Sequence, residues 1–344
     1  MVENLIHQIP NSLPGNLLLA VVIGLSIYLL SKGADIVVEA AVEAARDLGV
    51  SQLVIGATIV SLGTTSPEAA VSVLAALRGN PGLALGNGVG SIICDQCLIL
   101  GLAMTLTPLP IRRRLLFRQS LIVLGSALLL AGFAYGSPAQ TITRGMGFVL
   151  VAGLFLYLYL SYRWTRESRA ATGRMPMPPQ ESMGRMPVPP EEGRRPLWMA
   201  LGALVLGLAV LVVGSHLLIP AVSLAAGRLG VSDTVIAATI VAFGTSLPEL
   251  MTAITAVRKR HPELVLGNVL GADALNVLFV IGVSASAAPL KTEATFYQLQ
   301  APFMVGALVL FQVFLFSTRD HFRRWQGLVY LGCYLSFVIL QYAL

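Results

Sequence analysis

Residues 57–109 align without a gap onto residues 238–290, at a constant offset of 181, with 18 identities in 53 positions. The match continues upstream, where LGVSQLVIGATI at 48–59 pairs with LGVSDTVIAATI at 229–240. No other feature restricts the chain as much, because each copy must fold as the other does. The copies are also too apolar for a water-soluble core. The chain is 56% hydrophobic and only 12% charged, against about 25% charged residues in a soluble domain. Two copies of a membrane-embedded unit are therefore expected.

A spanning helix needs about 20 mostly apolar residues. Such runs lie near 15–45, 51–78, 82–109, 115–135, 143–162, 197–227, 232–258, 263–290, 297–317 and 324–343. The N-terminal stretch MVENLIHQIPNSLPGN has no Lys or Arg, unlike a secretory signal, so the first run is expected to remain as a helix. With both termini outside, 18 Lys and Arg fall in inner loops and 4 in outer loops, as the positive-inside rule demands. That bias accounts for the net charge of +6 without nucleic acid. Five spans per copy is an odd number, so the second copy must insert upside down. The expected fold is an all-α integral membrane protein of ten transmembrane helices. It is built as two inverted five-helix repeats with broken helices at the midplane, the plan of many secondary transporters. The division is 1–162 for the first repeat, 163–196 for a Pro- and Arg-rich cytoplasmic linker, and 197–344 for the second repeat. The linker repeats GRMPMPP as GRMPVPP and cannot bury a core.

The chemistry concentrates in two paired motifs. GTTSPE at 63–68 matches GTSLPE at 244–249, and GNGVGSIICD at 86–95 matches GNVLGADALN at 267–276. Glu68, Asp95, Glu249 and Asn276 fall near the centres of their apolar runs. Carboxylates there cost several kcal/mol unless partners compensate. Pro67 cannot donate to the carbonyl of Gly63, nor Pro248 to that of Gly244, so each motif frees backbone oxygens in mid-membrane. Carboxylates, carbonyls, hydroxyls and an amide make a hard-cation ligand set that suits calcium or sodium better than magnesium. If ionised, Glu68, Asp95 and Glu249 carry three negative charges, which three sodium ions would balance and one calcium would leave at −1. Burial and like charge also favour protonation, so the residues leave sodium against proton open.

Other polar residues read more plainly. Asn87 and Asn268 are expected as helix caps rather than ligands, with Gly86, Gly90, Gly267 and Gly271 allowing close packing. Asp273, whose counterpart is Ile92, is expected to serve a helix start. Asp35, Glu39 and Glu43 share one face of the first helix, either as a cation funnel or as a solvated face with a Lys32–Asp35 contact. Cys94, Cys97 and Cys333 are an odd number among apolar neighbours, which argues for packed thiols over disulfides or zinc. The four histidines show no metal spacing, and His216 is expected to be a packing residue. A passive channel would share the repeats and the midplane acids. An intramembrane hydrolase would need an acid–base pair beside a substrate groove, whereas these acids sit among ion-ligand oxygens, so no enzyme is expected.

With these motifs the chain resembles the cation/calcium antiporter superfamily, and most closely its sodium/calcium exchanger branch. The resemblance covers nearly everything but the linker. It lacks the asparagine-alanine-rich stretch that the proton-coupled branch usually places before its acid. It implies exchange of calcium for sodium by alternating access, with a calcium/proton antiporter as the alternative. It also implies direct calcium binding by Glu68 and Glu249, with help from Thr64 and Thr245. Sodium contacts are implied at Thr65, Ser246 and the carbonyls of Ser61 and Ala242. The third and eighth helices are implied to add Ser91 with Asp95, and Ala272 with Asn276. The first and sixth helices are implied to slide. No cofactor beyond the transported ions and no obligate protein partner is expected. The setting expected is a lipid bilayer, the plasma membrane of a prokaryote. Prokaryotic members similar to this chain tend to carry Asn in the first repeat and Asp in the second, so Asp95 and Asn276 are reversed here. Ala272 stands where a serine is usual.

Overall fold

The computed structural model describes residues 6, 8–137, 139–172, 196–229 and 244–343. The linker from 173 to 195, the first part of the seventh expected span and Ala242 lie outside the described residues.

The described chain is helical almost throughout. Helix α1 (Leu13–Leu48) starts where the Ser12 hydroxyl accepts from the Gly15 N–H, and it stops at Gly49, whose φ of 60° lies in the left-handed region. Its 36 residues make about 54 Å of helix, far more than the ~30 Å hydrocarbon core, so it must tilt or protrude. The next span is broken. Helix α2 (Gln52–Thr64) and α3 (Ser66–Leu77) meet at a 43° bend. The hinge is Thr65, and Pro67 sits in the first turn of α3, where a missing N–H costs least. The rest follow as α4 (Pro81–Leu106), α5 (Arg113–Gly136), α6 (Arg144–Thr172), α7 (Leu197–Arg228), α8 (Leu247–Arg258), α9 (Pro262–Ala287), α10 (Phe296–Ser317) and α11 (Arg324–Ala343). Helix α6 continues past the boundary expected at residue 162. Among the described residues, seven helices are long and apolar enough to cross a membrane, or eight with the bent pair counted as one span.

Burial sorts the helices. Helices α4 and α9 are the most enclosed, and Ile92, Ile93, Ile99 and Leu100 on α4 are completely covered. Helix α1 turns Leu17, Leu18, Val21 and Leu25 outward, as a lipid-facing surface requires. Close crossings rest on small residues. A Cβ on Gly267 of α9 would lie 2.1 Å from the Leu53 carbonyl oxygen of α2, and one on Gly33 of α1 would lie 2.9 Å from the Leu211 nitrogen of α7.

Four two-residue strands tie the loops together. Strand β1 (Leu109–Pro110) pairs antiparallel with β4 (His321–Phe322), and β2 (Thr141–Ile142) with β3 (Leu290–Lys291). Each pair joins one half of the chain to the other.

Candidate cation site

Glu68, Glu249, Asp95 and Asn276 each sit where a helix departs from regular geometry. Glu68 lies in the first turn of α3 and Glu249 in the first turn of α8, each beside its proline. Asp95 and Asn276 occupy the opening turns of π-helical segments, Cys94–Leu100 within α4 and Asn276–Ile281 within α9. A π-turn widens the helix to i→i+5 bonding and is often found at functional sites. The motifs do not announce these turns, and sequence reasoning missed them.

The structure brings most of the sequence-derived residues together. Glu68, Asp95, Glu249 and Asn276 are each at most 2% exposed. Glu68 is within electrostatic reach of Glu249 and Asp95, and Asp95 of Glu249. The Thr65 hydroxyl donates to Glu249 Oε1 over 3.4 Å, across the two halves. Ser246 Oγ lies 3.4 Å from Ser91 Oγ, also across the halves. Ser61 is buried, and its hydroxyl donates to the Thr58 carbonyl at 3.2 Å. Ala242 lies outside the described residues.

A reciprocal pair of contacts frames the cluster. Thr64 Oγ1 lies 3.5 Å from Asn268 Oδ1, and Thr245 Oγ1 lies 3.2 Å from Asn87 Oδ1. Under the offset of 181 these are the same contact made twice. The asparagines are therefore not caps. Asn80 caps α4, its side chain accepting from the Leu83 N–H at 3.1 Å. Asn87 lies inside the helix, and its amide donates to the Glu68 carbonyl at 3.2 Å and to Ser72 Oγ at 2.9 Å. Capping failed as a reading because six residues of α4 precede Asn87.

Several oxygens in the cluster have no protein partner. Among the described residues, both carboxylate oxygens of Glu68 and of Asp95, Glu249 Oε2 and Asn276 Oδ1 make no hydrogen bond to another residue. Buried polar atoms are nearly always satisfied, so this concentration marks a place built for something that supplies positive charge. The carbonyl expected to be freed at Gly244 has a partner, because Ser215 on α7 donates to it over 3.0 Å.

Other expectations need correction. Asp273 does not start a helix. It lies well inside α9, completely buried, and Oδ2 accepts from Gln96 Nε2 at 2.5 Å. Its partner sits on the other half of the chain, beyond the reach of local sequence reasoning. His216 is exposed on α7 rather than packed. The Asp35–Glu39 face is paired, but with Lys259 at the end of α8 instead of Lys32. Lys259 Nζ lies 3.0 Å from Asp35 Oδ1 and 2.5 Å from Glu39 Oε1. Partial burial lowers the Lys259 pKa, but Glu39 and Asp35 outweigh it and hold the ammonium above its ordinary value. Cys94 and Cys97 are buried free thiols and Cys333 a half-buried one.

Broken and π-bulged helices around partnerless buried carboxylates, inside a multi-pass apolar frame, define the class: an integral membrane cation transporter. The chain belongs to the sodium/calcium exchanger protein family, whose model matches residues 18–163 and 199–343. It is 30% identical over 339 residues to the sodium/calcium exchanger MaX1 of Methanosarcina acetivorans, covering 92% of this chain and 97% of that one. It is 27% identical over 322 residues to the inner membrane protein YrbG of Escherichia coli, covering 93% and 95%. A solved structure of the sodium-calcium exchanger NCX_Mj superposes with a TM-score of 0.76 at 28% identity, covering 94% of this chain and 98% of that one.

Proposed function

We propose that this chain carries calcium across the membrane in exchange for sodium by alternating access. The observation that carries this reading is the group of partnerless carboxylate oxygens on Glu68, Asp95 and Glu249, set among the hydroxyls of Thr64, Thr65, Ser91, Thr245 and Ser246. Calcium takes six to eight oxygens in flexible geometry, and this cluster offers charged and neutral oxygens together. Glu68 and Glu249 are the calcium ligands, helped by Thr64 and Thr245. Thr65, Ser246, Ser91 and the carbonyls of Ser61 and Ala242 serve the sodium ions, and Asp95 and Asn276 border the calcium and the sodium positions alike. One calcium and several sodium ions compete for the same three charges, which is the minimal requirement for exchange. The ions are cargo, and no cofactor enters the cycle. Family membership and the likeness to MaX1 and NCX_Mj favour sodium over the proton as the counter-ion.

The architecture in this reading is ten spans in two inverted repeats, 1–162 and 197–344, joined by the 163–196 linker, with both termini outside. The strand pairs support it. The loop after α4 pairs with the loop after α10, and the loop after α5 with the loop after α9. Loops paired in this way share a membrane face, as opposite insertion of the repeats requires. The reciprocal Thr–Asn contacts point the same way. The carrier works in a prokaryotic plasma membrane without an obligate protein partner.

The test is calcium uptake into proteoliposomes with an outward sodium gradient or an outward proton gradient imposed separately. Uptake driven by sodium alone is the expected outcome. Full-rate uptake with neither gradient would mean a channel, and uptake driven only by protons would replace sodium in the cycle.

A further inference from the structure

The cation cluster leaves one buried acid unused. Asp273 is completely enclosed, its Oδ2 accepts from Gln96 over 2.5 Å, and its Oδ1 has no partner among the described residues. The amide of Gln96 is held from its other end as well. The Tyr330 hydroxyl of α11 lies 3.4 Å from Gln96 Oε1 and 3.1 Å from the Ala307 carbonyl oxygen. A chain of polar groups thus runs from α11 through α4 to α9 in the apolar interior, where each such group is expensive.

The duplication shows how unusual this is. Gln96 corresponds to Val277 and Asp273 to Ile92. Tyr330 packs on Gly101 of α4, and Leu150 packs on Gly282, the counterpart of Gly101. The mirror of Asp273, Gln96 and Tyr330 is therefore Ile92, Val277 and Leu150, three apolar residues that are all completely buried. Packing alone does not need the polar version. The difference follows the cation ligands, because Gln96 adjoins Asp95 and Val277 adjoins Asn276. Both neighbours lie in the opening turns of π-helical segments, and the change to i→i+5 bonding alters the rotation at which the side chains leave the helix. A carboxylate that must meet a cation needs that rotation set, and also repels Glu249 and Glu68.

We propose that Asp273 is a positioning residue for the cation site: through Gln96 it fixes the rotation of the π-helical turn that carries Asp95, in the first copy alone. This rests on the exchange reading above. Residues that orient metal ligands from behind are worth about 10–100-fold in affinity.

The test is sodium-driven calcium exchange in proteoliposomes, with KM and maximal rate measured separately. Asp273→Ile and Gln96→Val should each raise the calcium KM about tenfold and leave the maximal rate within about twofold. Asp273→Asn, which keeps an acceptor for the Gln96 amide, should stay within about threefold of the unmodified KM. The double variant Gln96→Val/Asp273→Ile rebuilds the apolar contact of the mirror position and should fold, yet keep the raised KM. A normal KM in the double variant would reduce the contact to packing and overturn the proposal. An Asp273→Asn variant as impaired as Asp273→Ile would also overturn it, because charge rather than positioning would then matter. If Asp273→Ile and Gln96→Val fail to fold, the double variant still decides. Glu249→Gln measured alongside separates the two readings. An active Glu249→Gln sinks the cation site itself, whereas an inactive one beside a normal double variant sinks only the role of Asp273.

Discussion

The surroundings of Asp95 and of Asn276 descend from one duplicated segment and have diverged in a consistent direction. Around Asp95 the supports are polar. Ser91 meets Ser246 at 3.4 Å, Asn87 is satisfied by Ser72 and the Glu68 carbonyl, and Gln96 is held by Asp273. Around Asn276 the matching positions are Ala272, Ala253, Val277 and Ile92, all apolar. The hydroxyl missing at 253 has a visible counterpart: among the described residues the Asn268 amide nitrogen has no partner, whereas that of Asn87 has two. Duplication kept the frame of glycine, threonine, proline, glutamate and asparagine in both copies. It let the supports drift apart once charge was needed on one side only.

That comparison is sharpest at the glutamates, where the copies should be equivalent. Glu68→Gln and Glu249→Gln should each lower calcium exchange at least about a hundredfold, equal to about 2.7 kcal/mol, because each removes one of the charges proposed to hold calcium. Initial calcium uptake in proteoliposomes measures this, and full transport in either variant would break the symmetry. The next effect tests where the third charge must sit. Asp95→Asn should raise the calcium KM about tenfold or more. Adding Asn276→Asp restores the total charge but not the Gln96–Asp273 support, so recovery should be incomplete. Complete recovery would mean that only the charge total matters.

Smaller effects probe the frame. Gly267→Ala places a methyl 2.1 Å from a backbone oxygen, and overpacking of this kind costs about 1–3 kcal/mol. Thermal unfolding in detergent should show it as a lowered melting temperature, and an unchanged value would mean that α2 and α9 do not cross so closely. The smallest change expected is at the missing hydroxyl. Ala272→Ser should improve sodium affinity about twofold to threefold, in line with one added neutral ligand at ~0.5 kcal/mol, read from the sodium dependence of calcium release. Identical sodium curves would take Ala272 out of the sodium site.

Much of this was legible before any helix was placed. Glu68, Glu249, Thr64 and Thr245 stand out because a proline and an acid recur in apolar runs at one offset. Asn87 and Asn268 were visible but misread, since a Gly-Asn pair near a helix start looks like a cap until the structure shows Asn80 in that role. Asp273 was misread because its partner lies 177 residues away. A signal was present in the alignment: the polar residues Gln96 and Asp273 both face apolar counterparts. Two such exceptions at neighbouring positions of two motifs suggest a contact.

By itself the sequence determined that the chain lives in a membrane, that it is doubled, and which residue types sit at mid-depth. Those properties follow from composition, period and spacing, which are local. Only the tertiary structure decided that Thr64 meets Asn268 while Thr245 meets Asn87, that Asp95 and Asn276 open π-helical turns, and that Lys259 rather than Lys32 neutralises the Asp35–Glu39 face. Each of those is a contact between halves or a deviation of one hydrogen bond within a helix. Neither leaves a mark on hydropathy, because the energy that selects it comes from groups far away along the chain.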